Sequence, residues 1–145
     1  PAEKYSWRPE AGVRTVSELF LHVTAANYNI PAMISGSTQV AAFKAEGFET
    51  STTDKAKIIE QLNQSFSNAE AAIQSMSNAD FAKPEKKLGP DANDGDVIYL
   101  MIVHNHEHLG QTVAYARLNG ITPPWTEEAQ RKAKAASYDA APKKD

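Results

Sequence analysis

Val16, Leu19, Phe20, Val23, Ala26 and Ile30 recur every three or four positions, the period of one helix face. The spacing predicts a first helix over roughly Val16–Ser35. Thr15 followed by Glu18 fits a capping box, in which each side chain satisfies an orphan backbone N–H of the first turn. Pro31 falls inside the pattern and removes a backbone donor, so a kink or an early end is expected there. A second stripe, Ile58, Leu62, Phe66, Ala69, Ile73 and Met76 behind a capping Asp54, predicts a helix over about Lys55–Ser77. A third helix is expected from about Asp96 to Asn119, with Gly120 as its stop.

The intervening stretches break these periods. Pro1–Thr15 contains two prolines and a glycine and reads as an extended lead-in. The Gly/Ser/Thr-rich loop after the first helix has room for one helical turn around Val40–Ala45, and Asn78–Gly95 is a long polar connection with two prolines and two glycines. "ITPPW" (Ile121–Trp125) predicts an extended exit, and the charged, Ala-rich Thr126–Asp145 a weak helix or frayed tail. No strand pattern appears, so the class is all-α: a helical bundle over 1–125 and a tail over 126–145.

The third helix carries more apolar surface than one neighbour covers. At about 100° per residue, Leu100, Met101, His104, His108, Gln111 and Tyr115 share one face, while Ile98, Ile102, Leu109 and Val113 form a second stripe. Another helix, or another subunit, is expected to cover it.

Composition narrows the function classes. A formal charge of -3 over 145 residues gives no electrostatic footprint for nucleic acid or an anionic membrane. No apolar run approaches the ~20 residues of a membrane span. The chain has no cysteine, which removes disulfides, thiolate metal ligands and a cysteine nucleophile together; it leaves the compartment open, with the cytoplasm slightly favoured. Neither a G-x-S-x-G nucleophile setting nor a glycine-rich phosphate loop is present. A metal would have to be held by histidine, carboxylate or water.

Three of the four histidines lie within five residues, "HNHEH". His104 and His108, four apart on a helix, place their rings on one face, a spacing at which two imidazoles bind one cation. His106 points the opposite way and reads as a solvated or interface histidine. Buried imidazoles need hydrogen-bond partners or a metal, since an unsatisfied group costs roughly 1–3 kcal/mol. His22, at the edge of the first helix's stripe, can meet the pair across the core. Three histidines with water completing the shell would be an open site of the catalytic type. Glu18 reads as a cap and Glu107 as solvated. Gln111 is either a core-edge amide or a group that orients a ligand or a metal-bound water, and Tyr115 and Trp125 read as core and staple residues.

"YSWRPEAGVRTVSELFLHV" (Tyr5–Val23) followed by "VHNHEHLGQTVAYARLNGITPPW" (Val103–Trp125) resembles the DinB-like superfamily of four-helix bundles. By position His22 matches that family's first ligand, His104 and His108 its H-x-x-x-H pair, and Gly110 and Gln111 its G-Q step. Arg117, Gly120, Pro123 and Pro124 match its ending. The resemblance implies an up-down-down-up bundle and a divalent metal, typically zinc or nickel, held by the three histidines. It also implies an activity among metal-dependent thiol S-transferases and isomerases, with a low-molecular-weight thiol as partner. Hydrolysis by a metal-bound water, or a non-enzymatic metal-binding or interaction module, are the alternatives, and no residue stands out as a dedicated general base. The family normally has a full helix ahead of the stretch at which this sequence begins. A homodimer or higher homo-oligomer, whose partner covers the exposed bundle face, is therefore expected.

Overall fold

The computed structural model describes residues 1–34 and 43–139. They form four α-helices: α1 (Val16–Asn29), α2 (Lys55–Gln74), α3 (Asp94–Leu118) and α4 (Pro124–Asp139). Among the described residues there is no strand, only an isolated bridge between Pro84 and Asn93. No helix there is long and apolar enough to cross a membrane.

The helix ends follow from local chemistry. At α1 the Glu18 N–H donates to Thr15 Oγ1 (3.2 Å) and the Thr15 N–H to Glu18 Oε2 (2.7 Å), the expected capping box. Two more first-turn donors, Val16 and Ser17 N–H, reach the carbonyls of Trp7 and Tyr5. The lead-in is thus not extended: it opens with a 3-10 turn at Ala2–Lys4, folds back over the start of α1 and buries Tyr5. Pro31 ends α1 early and begins a 3-10 turn, Pro31–Met33. α3 starts two residues ahead of expectation because Asn93 forms a reciprocal cap with Asp96. It stops where Gly120 adopts φ 73°, letting the Gly120 and Ile121 N–H groups bond back to Arg117 and Ala116 carbonyls, a Schellman ending that favours glycine. Of the turn expected at Val40–Ala45, residues 40–42 lie outside the described residues and 43–45 are not helical; a 3-10 turn forms at Phe48–Thr50 instead.

Packing gives the course of the chain. Leu21 meets Ile58, Asn27 meets Ser65, and Ala26, Ile30 and Ile34 join Ala69 and Ala72, so α1 and α2 run parallel. The same Ala26–Ile34 stretch packs with Val97 and Met101, while His22 meets His104, so α3 runs antiparallel to both. This is the down-down-up course of the expected bundle. The long connection from Ile30 to Asp54 is what allows a parallel neighbour, since a short loop can only reverse direction.

α1 is the central helix, with Leu19, Leu21, Val23, Thr24, Ala25, Ala26 and Asn27 buried. Two apolar clusters lie along it: Tyr5, Leu21 and Ile58 near its start, and Ala26, Ile30, Ala69, Ala72, Val97 and Met101 beyond. Between and beside them sit the polar residues His22 and Asn27. The α2 stripe is rotated from expectation: Ile58, Ser65, Ala69 and Ala72 are buried while Phe66 is 46% exposed. Small Ser and Ala side chains let α2 approach α1 closely, and the bulky Phe66 is left at the margin. The second stripe of α3 is open at Ile102 and Leu109, which are about half exposed, apolar surface that the described residues do not cover. α4 leaves its side chains exposed from Glu127 to Ser137, and Trp125, expected as a staple, is 54% exposed.

Candidate metal centre

His22 from the middle of α1 and His104 and His108 from the middle of α3 converge. One ligand-capable atom from each lies within 4.8 Å of the other two. His22 Nε2 and His104 Nε2 are 3.1 Å apart, close to the ~3.3 Å separating two nitrogens that share a tetrahedral zinc at ~2.0–2.1 Å. The rings pack pairwise with centroids 4.4–5.0 Å apart. His108 is buried, and His22 and His104 are half-buried. His106 stays outside, exposed, with Nδ1 against the Ile102 carbonyl at 2.9 Å.

Two hydrogen-bond chains engage Nδ1 of two of the rings. The Arg14 carbonyl can only accept, so the Tyr115 hydroxyl donates to it (3.0 Å). That hydroxyl oxygen then accepts from Gln111 Nε2 (3.1 Å), which turns Gln111 Oε1 toward His108 Nδ1 (2.9 Å). His108 must therefore carry a proton on Nδ1, and in the neutral ring Nε2 is the nitrogen left for a ligand. On the other branch Glu49 Oε1 lies 2.6 Å from His22 Nδ1. A carboxylate accepts only, so His22 also carries a proton on Nδ1, and in the neutral ring Nε2 is the nitrogen left for a ligand. With Nδ1 of both rings engaged from outside, their Nε2 atoms are the ones free to serve a shared cation.

His104 completes the picture. Its Nε2 lies within hydrogen-bond distance of His22 Nε2, but its Nδ1 is buried without a partner, so hydrogen bonds within the group do not satisfy every buried nitrogen. Burial, followed by the neighbouring His108 and His22, pushes its pKa down to about 4, and the ring is neutral at neutral pH, as a ligand must be. Burial alone would raise the Glu49 carboxyl, but hydrogen bonds from Arg14 and His22 outweigh it and hold the pKa below the ordinary value. The three-histidine group can hold a divalent metal ion, and its donor set suits zinc, nickel, copper or iron.

The expected residues fall as follows. Glu18 is the α1 cap and pairs with Arg8, and Glu107 is exposed. Gln111 has both ends of its amide engaged, and Tyr115 is at once a core residue, edge-on to Trp7, and a link in the His108 chain. Glu49 and Arg14 were not identified from the sequence. Glu49 lies 27 positions after His22 in the short 3-10 turn Phe48–Thr50, where no periodicity marks it. It is placed by Gly47, whose φ of 68° turns the chain into the 3-10 turn, and by Phe48, which packs on the Tyr5–Leu21–Ile58 cluster.

The geometry defines a class: a helical bundle with a three-histidine centre between antiparallel helices. The family model of the DinB superfamily matches residues 1–112, and the chain belongs to that superfamily. The match includes His22, His104, His108, Gly110 and Gln111, while Arg117, Gly120, Pro123 and Pro124 lie beyond it. No curated protein and no solved structure matches the chain.

Proposed function

We propose that this protein is a metal-dependent enzyme of the thiol S-transferase or isomerase kind, with His22, His104 and His108 as ligands to one zinc or nickel ion. The observation that carries the reading is the convergence of the three imidazoles, one ligand atom of each within 4.8 Å of the others, with Nδ1 of His22 and of His108 engaged by Glu49 and Gln111. A divalent ion held by His22, His104 and His108 would supply Lewis-acid stabilisation of a thiolate at neutral pH. The residues of the chain hold that arrangement. Gln111 and Tyr115 lock the His108 ring, and Glu49 locks the His22 ring. The exposed edge of the half-buried His22 and His104 leaves access for a small thiol. In the transfer the sulfur forms a bond to an electrophilic carbon of the second substrate, the thiol proton passes to solvent, and the leaving group departs with its electron pair.

Cobalt-substituted protein titrated with free cysteine tests this reading. A sulfur-to-metal charge-transfer absorption is expected on thiol addition, with turnover of alkyl halide or epoxide electrophiles by the zinc or nickel form. A cobalt form whose spectrum ignores the thiol, with no turnover, would remove the transferase reading and leave the non-enzymatic metal-binding one.

A further inference from the structure

The three histidines are unequally supported. His108 has an amide oxygen on its Nδ1, His104 has nothing on its own, and only His22 has a carboxylate. That carboxylate is itself clamped: Arg14 Nε donates to Glu49 Oε2 at 2.8 Å, and Nη2 reaches Oε1 at 3.4 Å. Arg14 thus stands at the head of both chains, with its carbonyl serving Tyr115 and its guanidinium serving Glu49.

We propose that Glu49, clamped by Arg14, is the positioning residue of the metal centre, fixing the tautomer and orientation of His22 and thereby setting the affinity for the ion. The inference rests on the three-histidine metal reading and goes beyond it. A carboxylate on Nδ1 makes the opposite nitrogen a stronger donor and holds the ring in place. Loss of such a partner typically weakens metal binding by about 10–100-fold.

A purely structural role fits poorly. The Arg14 and Glu49 side chains are 41% and 33% exposed, and ion pairs so open to solvent contribute little to folding. The 3-10 turn that holds Glu49 is anchored to the core by Phe48, so its packing does not depend on the Glu49 side chain. Its short contact to His22, 2.6 Å against 2.8 Å to Arg14, is directed at the ring rather than only at the arginine.

Zinc affinity of the full chain, measured by competition with a chromophoric chelator, tests this with Glu49→Ala, Glu49→Gln and Arg14→Ala. Glu49→Ala is expected to bind about 10–100-fold more weakly, with the melting temperature of the metal-free protein unchanged. Glu49→Gln, which keeps an acceptor oxygen but not the charge, should fall between it and the wild type. Arg14→Ala spares the carbonyl used by Tyr115 and should weaken binding less than Glu49→Ala. The visible spectrum of the cobalt form should shift in Glu49→Ala, as a changed His22 ligand requires. If Glu49→Ala binds zinc within twofold of a wild type that itself binds, the inference is overturned and the metal reading stands. Affinity loss that only tracks a fall in metal-free melting temperature across all three variants also overturns it. A wild type that binds neither zinc nor cobalt overturns both.

Discussion

Alanine at His104 or at His108 is expected to lower zinc affinity by about 10²–10³-fold. The magnitude follows from the ~10–16 kcal/mol of apparent binding free energy at four-ligand structural zinc sites. Shared evenly, that is roughly 2.5–4 kcal/mol per ligand, at ~1.4 kcal/mol per tenfold. His22→Ala should behave alike, although it lies on a different helix from the other two. His106→Ala is the control: its ring is exposed and bonded to the Ile102 carbonyl, and affinity should stay within twofold. Metal-free His104→Ala should remain folded, because the substitution removes a buried nitrogen that has no partner and whose desolvation is uncompensated. Chelator competition gives the affinities, and melting in the presence of chelator separates ligand loss from unfolding. Equal affinity in His106→Ala and His104→Ala would show that the cluster binds metal through its sequence density rather than its geometry.

Asn27→Ala is expected to cost about 2–4 kcal/mol of folding stability. Asn27 is fully buried at a point where α1, α2 and α3 exchange side-chain hydrogen bonds. Its Nδ2 donates to Ser65 Oγ (3.2 Å), and its Oδ1 accepts from Asn105 Nδ2 (3.0 Å). Asn68 Nδ2 donates to its carbonyl at 3.3 Å, a bond the substitution spares. Ser65 and Asn105 each keep a second bond, to the carbonyls of Leu62 and Met101, which limits the loss to the two bonds and the cavity. Urea unfolding should show a lower midpoint with an unchanged slope. A loss under about 1 kcal/mol would mean that the network is dispensable.

These two residues mark what could and could not be read from the chain. The caps at Thr15, Asp54 and Gly120 and the early end at Pro31 depend on neighbours within a few positions, and local chemistry decides them. The pairing of His104 with His108, and the exclusion of His106, follow from the 100° step of a helix. His22 was reachable because it stands at the edge of an apolar stripe. Asn27, between Ala26 and Ile30, reads in the sequence as a gap in an apolar stripe, because its partners come from two other helices. Phe66 was placed in the core because size and period agreed, yet the small residues Ser65, Ala69 and Ala72 set the α1–α2 contact. Glu49 lay in an aperiodic stretch, and only the fold brings it to His22.

The central claim is that one divalent ion is held by Nε2 of His22, His104 and His108. X-ray absorption of zinc-loaded protein tests it most directly. The expected result is three imidazole nitrogens at about 2.0–2.1 Å with a further light-atom ligand, falling to two imidazoles in His22→Ala. A zinc shell of carboxylate oxygens, or an imidazole count unchanged in His22→Ala, would contradict it.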